Sequence, residues 1–152
     1  MNKIRGFEVV SDEHRKFPEQ EIILPTRGSK NSAGYDLYSN EEVIIKPLEK
    51  HIFWTDVKTY MKDGAVLKVY VRSSIGIKKG LILANSTGII DQDYFSNPNN
   101  DGNIGVCLRN LTNKEQIIEK GERIAQGIFQ TYLVADTGNT NQERKGGIGS
   151  TN

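Results

Sequence analysis

Two carboxylates stand two residues apart in NSTGIIDQDY, residues 85–94, where Asp91 and Asp93 follow the apolar pair Ile89–Ile90 and precede Tyr94. A carboxylate at the rim of an apolar run is partly desolvated, which is costly unless something uses the charge. One use is to activate a water molecule. The plainer reading is a strand that ends where a polar turn begins, since turns favour Asp. Further along, RKGGIGST (144–151) joins Arg144 to three glycines and two hydroxyls. Backbone N–H groups approach an anion closely where side chains are absent, and a guanidinium offers forked donors to phosphate oxygens. A plain flexible end has the same composition. The segment is no Walker loop, because GxxxxGK[ST] is missing, and no GxGxxG follows a strand, so a dinucleotide cofactor is not indicated.

Two more segments carry groups of the same kind. In VRSSIG (71–76), Arg72, Ser73 and Ser74 close an alternating run and either clamp phosphates or cap a short helix. In AGYDLYS (33–39), Asp36 points away from Tyr35 and Leu37 if the segment is a strand, and is either a structural carboxylate or one associated with a metal. No GxSxG occurs, and no His lies near a Ser or Cys motif, so hydrolysis would run through a carboxylate-activated water and a metal on phosphates.

Short β elements must position these groups. Helical periodicity is weak, while alternating or apolar runs such as EVIIKP, AVLKVYVRSS, GLILAN and NIGVCLRNL recur between Gly, Asn and Asp punctuation. QIIEKGERIAQGIFQTYLVA reads as two strands around a Lys120–Gly121 turn. This pattern predicts an all-β sandwich or barrel with one helical turn in SSIGIKK. Residues 25–34 and 96–103 read as loops, the second without an apolar residue to anchor it. Residues 1–135 would form the β domain and 136–152 a flexible Gly-rich arm.

The bulk numbers narrow the function. A chain of 152 residues suits one domain, and 36% hydrophobic residues make a lean core that a partner subunit could complete. Lys plus Arg is 20 against 19 Asp plus Glu, which speaks against direct binding of a nucleic-acid polymer. One cysteine, Cys107, and two histidines make neither a disulfide nor a metal cluster. No apolar run approaches the roughly 18 residues that span a bilayer, and the charged N-terminus has no signal-peptide character, so no membrane association and a cytoplasmic location are expected.

Taken in order, the segments resemble the five motifs of the homotrimeric dUTPase family: AGYDL, VRSSIGIKKGL, NSTGIIDQDY…GNIGVCLRN, KGERIAQGIF and RKGGIGST. The resemblance implies a jelly-roll-like all-β subunit in a homotrimer, with three active sites each built from all three chains. The activity it implies is hydrolysis of dUTP to dUMP and pyrophosphate with Mg²⁺ on the phosphates, which limits uracil in DNA and supplies dUMP for dTTP synthesis. Carried over by residue, Asp91 orients the attacking water and meets the sugar 3′-hydroxyl. Tyr94 packs on the deoxyribose. Asn85 and the backbone of Gly88, Ile89 and Ile90 read uracil. Arg72, Ser73 and Ser74 hold the phosphates with Gln126 nearby, and Asp36 supports the metal's water shell or the hydrogen-bond network without ligating directly. Arg144, Gly149 and Ser150 close over the γ-phosphate.

The chain departs from the pattern in three places. Val71 stands where the family has Pro. Ile148 stands where it has a uracil-stacking Phe, a role that Phe95 or another aromatic could take. The stretch FSNPNNDGN (95–103) is longer than the usual turn, as in some phage and Gram-positive members, and would be a lid or a surface for a regulatory protein partner. The related dCTP deaminases carry a catalytic Glu where this chain has Cys107, which argues against deamination.

Overall fold

The computed structural model describes residues 2–151. Twelve strands follow in order: β1 Arg5–Val9, β2 Thr26–Arg27, β3 Tyr35–Tyr38, β4 Val43–Ile45, β5 Lys50–Trp54, β6 Val57–Met61, β7 Ala65–Val71, β8 Leu81–Leu83, β9 Gly88–Ile90, β10 Gly105–Asn110, β11 Gln116–Ile118 and β12 Arg123–Thr131. A π-type turn at Ser74–Lys78 follows Arg72, and a 3-10 turn covers Gln92–Tyr94. The expected all-β, jelly-roll-like class is what the chain adopts.

Every strand pair is antiparallel. Five strands in the order β2-β3-β12-β7-β9 make the largest sheet, and β5-β10-β8 make a second of three strands. Two-stranded pairs β1-β6 and β11-β4 complete the shell. The alternation of β7 decides its facing: Leu67 and Val69 enter the core, while Lys68 and Tyr70 stay partly exposed. Phe53, Leu37, Ile75, Leu81, Ile104, Leu108, Ile118 and Ile124 fill the space between the sheets and are essentially inaccessible. Each side chain so buried contributes about 1.5–3 kcal/mol. Within the expected 25–34 loop, Thr26 and Arg27 pair with Asp36 and Tyr35, because β3 otherwise presents an unpaired edge there.

Residues 96–103 differ most from expectation. They have no apolar anchor, yet polar bonds hold them. The Asn97 side chain accepts from the N–H groups of Asn99 and Asn100 at 3.0 and 3.1 Å and donates to the Tyr94 carbonyl at 2.8 Å. Asn103 donates to Asp56 Oδ1 and accepts from the Asp56 N–H, both at 2.9 Å. The fully buried Asp56 carboxylate also accepts from the N–H groups of Lys16 and Phe17 at 2.8 Å. Asp101 accepts from the Ser11 N–H at 2.8 Å and from Lys58 Nζ at 2.9 Å. The insertion is therefore a fixed bracket between the N-terminal segment and the core. Being fixed, it is not built as a lid.

Burial alone would push the Asp101 carboxyl up, but the Ser11 N–H and the Lys58 ammonium outweigh it and hold the carboxyl below its ordinary value. A depressed folded-state pKa stabilises the fold above the unfolded value of about 3.9, and that contribution is lost as pH falls through the folded value. Asp101→Asn should therefore lower the melting temperature at pH 6 and flatten its decline below pH 4, measured by thermal melting across that range.

Candidate active site

The chain leaves β8 in the three-stranded sheet at Leu83 and joins β7 as β9 at Gly88, so residues 84–87 cross between sheets. A tight turn makes the crossing: Ser86 N–H donates to the Leu83 carbonyl at 3.0 Å, and Ser86 itself adopts φ +65°. Behind the crossing lies a cavity of about 460 Å³. Its floor is the outer face of the three-stranded sheet, where Lys50, Ile52 and Trp54 of β5 stand beside Gly105 and Cys107 of β10. The wall is Asn85, Gly88, Ile89, Ile90, Asp91 and Tyr94, and Arg144, Gly147 and Ile148 lie across the mouth. A cavity with mostly apolar walls and a few convergent polar groups is what a small-molecule site requires.

β9 is an edge strand, paired to β7 on one side only. Its other edge leaves backbone N–H and C=O groups of residues 88–90 available to a ligand, as an added strand would use them. Side chains alternate along it, so Ile90 packs against the core and Ile89 points outward. The backbone of Asp91 is extended and leads into the 3-10 turn, and the carboxylate makes no capping bond to that turn. Asp91 instead accepts from Arg144 Nη2 at 2.7 Å, and Asp93 accepts from Arg144 Nε at 2.7 Å. The side chain of Asp91 is 49% exposed, a partial desolvation. Ile89 turns outward on the edge strand and cannot shield it.

Tyr94 is buried, and its ring lines the cavity. Its hydroxyl donates to the Asn103 carbonyl at 2.5 Å and accepts from Asn100 Nδ2 at 2.8 Å. Burial pushes this phenol above its ordinary value, against the opposing pulls of Asn100 and Arg144. The polar bracket thus sets the position of a cavity wall. Gly147 lies so close to the Tyr94 ring that a Cβ there would come within 2.8 Å of it. Ser150 Oγ donates to the Gly146 carbonyl at 2.7 Å, which folds residues 146–150 into a turn, and Gly149 takes φ +82°.

The remaining residues singled out from sequence gather elsewhere. Asp36 is buried on β3 with both oxygens engaged, at 3.1 Å from Arg72 Nε and 3.4 Å from Arg123 Nη1. Gln126 stands opposite Asp36 in the strand register. Ser73 makes no side-chain cap to its helical turn. None of Asp36, Arg72, Ser73, Ser74 and Gln126 lines the cavity. Within one chain the third and fifth segments meet at the cavity, while the first, second and fourth meet around Asp36.

Among the aromatic residues named as a possible cover for Ile148's role, Phe95 packs instead against Tyr60 at 6.2 Å between ring centroids and sits under Lys58 Nζ. Trp54, missed in the sequence, is the aromatic on the cavity floor; a Cβ on Gly105 would meet its ring at 2.9 Å. Only the β5-β10 register reveals this contact. Among the described residues no group of three His, Cys, Asp or Glu could hold a metal, and no helix is long and apolar enough to cross a membrane.

Comparison with known proteins gives a consistent picture. Residues 20–152 match the dUTPase family. The deoxyuridine 5′-triphosphate nucleotidohydrolase of Lactococcus lactis is 49% identical over 98% of both chains. The crystal structure of the Streptococcus mutans dUTPase superposes with a TM-score of 0.76 at 41% identity, covering 87% of this chain and 99% of that one. A dUTPase of the Staphylococcus aureus phage phi11, solved for the coordination of a structural Mg(II) ion, gives 0.69 at 22% identity over 92% and 98% of the two chains, a likeness of fold alone.

Burial raises the Cys107 thiol above its ordinary value, with Lys50 partly offsetting it. The thiolate is the reactive form, so alkylation of this single cysteine should be slow at pH 7 and go on accelerating with pH beyond the point where an ordinary thiol levels off. A ligand filling the cavity should protect it. Mass spectrometry after timed iodoacetamide treatment reads both effects.

Proposed function

The chain belongs to the dUTPase family and is a dUTP diphosphatase, and from that activity we propose how its residues divide the work. The observation that carries the reading is the cavity behind the 84–87 crossing, where a free strand edge, a buried tyrosine and a half-exposed carboxylate converge.

Uracil lies against the open edge of β9. Its N3–H donor between two carbonyl acceptors complements a backbone C=O between two N–H groups. Cytosine reverses part of that pattern and would leave buried polar groups unpaired, a discrimination larger than shape alone gives. Asn85 at the crossing turn adds a side-chain contact to the base. The Tyr94 ring packs on the deoxyribose and leaves no space for a 2′-hydroxyl. Ile148 covers the mouth as an aliphatic lid, without the stacking that an aromatic would provide.

Asp91 is the general base. It orients a water molecule and takes its proton as the water oxygen bonds to phosphorus and pyrophosphate departs. Arg144 pairs with Asp91 Oδ2 at 2.7 Å, and with dUTP bound its guanidinium would serve the phosphates, leaving the carboxylate to the water. Closure of residues 144–150 then excludes bulk water, which strengthens each charged contact inside.

Arg72, Ser73, Ser74 and Gln126 hold phosphate oxygens from a neighbouring chain, and Asp36 aims Arg72 for that task. Both Asp36 oxygens face guanidinium groups, so of its two expected roles the hydrogen-bond network fits better than the metal's water shell. Mg²⁺ would be carried on the triphosphate oxygens, hard ligands that it prefers while keeping its waters, and would neutralise phosphate charge there. The assembly is a homotrimer. Exposed Ile44 and Ile117, directly paired across β4 and β11, together with Ile82, Leu48 and Leu111, offer apolar surface for the contact. A cytoplasmic setting suits the unpaired thiol. Deamination of dCTP finds no support, because the position expected to hold a carboxylate is the partly buried thiol of Cys107.

Purified protein should release pyrophosphate from dUTP and far more slowly from dCTP and UTP. Asp91→Asn should bind dUTP but turn over about 10²–10⁴-fold more slowly, the usual contribution of a general base. Turnover within a few-fold of wild type would remove Asp91 from the mechanism. Light scattering should give three times the chain mass, and an active monomer would contradict sites completed by neighbours.

A further inference from the structure

Tyr94 is held at both ends by the loop that follows it. Its carbonyl accepts from Asn97 Nδ2 at 2.8 Å and from the Asn97 N–H at 3.3 Å. At the far end its hydroxyl donates to the Asn103 carbonyl at 2.5 Å and accepts from Asn100 Nδ2 at 2.8 Å. Between these ends the loop closes tightly on the Tyr94–Phe95 backbone. Gly102 takes φ +90°, and a Cβ there would meet the Tyr94 carbonyl oxygen at 2.9 Å and Phe95 Cα at 3.0 Å.

The Asn100 amide has one orientation in this arrangement. Its Oδ1 accepts from Asn97 Nδ2 at 2.8 Å and from the Gly102 N–H at 3.0 Å. Two donors occupy that oxygen, so the NH₂ group is the one that faces the phenol, and the tyrosine proton goes to the Asn103 carbonyl. One incoming and one outgoing bond therefore fix the hydroxyl, and the ring cannot swing without breaking them.

We infer that Asn100 is a positioning residue for sugar selection: by donating to the Tyr94 hydroxyl it stiffens the ring that lines the cavity, and so keeps out a 2′-hydroxyl. This rests on the proposed packing of Tyr94 on the deoxyribose. An apolar wall rejects a ligand that merely gains a hydroxyl only weakly, about 10²-fold, and rejection by clash is as strict as the wall is rigid. A tyrosine ring hangs from the chain by two rotatable bonds, and a tether on its far end removes that freedom. Tyr94 is buried, so a lost partner is not simply replaced by water.

Steady-state kinetics with dUTP and UTP on the full-length protein test this, read as the ratio of the two kcat/KM values. Asn100→Ala should lower the preference for dUTP about fivefold, the scale of one hydrogen bond. Loss of folded enzyme lowers both substrates alike and leaves the ratio in place, so the ratio reports the wall and not stability. Asn100→Ala also releases Asn97 and the Gly102 N–H, which makes a second variant necessary. Tyr94→Phe removes the same bond from the other side with the loop's own bonds intact. It should lose the preference at least as far, and Asn100→Ala should add nothing in the Tyr94→Phe background. Asp101→Asn loosens the loop at Ser11 and Lys58 without touching the phenol, and should keep the wild-type ratio.

An unchanged ratio in Asn100→Ala or in Tyr94→Phe overturns the inference, as does a further loss when the two are combined. An equal loss in Asp101→Asn makes the order of the whole loop responsible, and overturns it too. Tyr94→Ala separates the inference from the reading beneath it. If that variant keeps the wild-type ratio, sugar selection lies elsewhere and both fail. If it loses the preference while Asn100→Ala does not, the inference fails alone.

Discussion

Backbone polar groups must be paired, and a chain that changes sheets has only a few residues in which to do so. Residues 84–87 make that change, from β8 on one sheet to β9 on another. The site follows from it. The crossing holds two sheets apart and so opens a cavity between one sheet's outer face and the other's edge strand. β9 itself runs only three residues before the 3-10 turn, which places Asp91 where the strand's pairing stops. It also leaves the outer edge of β9 free, since the strand that would lie beside it belongs to the other sheet.

Polar contacts do in this protein what apolar packing does elsewhere. The core is well filled but small, and the loop beside the site offers it nothing. Asn97 and Asn103 are buried and Asn100 partly so, and each serves as both donor and acceptor. Such networks rigidify when every member is satisfied and are costly when one is lost. Here the network ends on the hydroxyl of Tyr94, so the order of the loop is delivered to a cavity wall.

Local patterns were legible in the sequence. The alternation of Val66, Lys68 and Tyr70 against Leu67, Val69 and Val71 gave a strand, though Val66 is buried with the second set, and the helical turn after Arg72 and the Lys120–Gly121 turn stood where punctuation put them. The five ordered segments gave the family. What stayed hidden rests on distant pairing. Trp54 reaches the cavity only because β5 meets β10 with Gly105 opposite. The bracket at 96–103 is anchored on Ser11 and Asp56, whose partnership no spacing rule reveals. Asp93 looked like a turn residue because its partner lies 51 positions away. The split of the site residues into two clusters is also invisible in a linear string, which places motifs in order but not on a surface.

The bracket has a consequence for the covalent chain. Asp101 precedes Gly102, the aspartyl pairing most open to succinimide formation, in which the glycine nitrogen attacks the protonated side-chain carboxyl, water leaves, and hydrolysis of the ring then gives isoaspartate. Here Gly102 N–H donates to Asn100 Oδ1 at 3.0 Å, and Lys58 and the Ser11 N–H keep the Asp101 carboxyl ionised, its unreactive form. Both reactants are occupied while the loop is closed. Spontaneous damage at this bond must then wait for local opening, and the protein ages there only as fast as its loop lets go of Ser11 and Lys58.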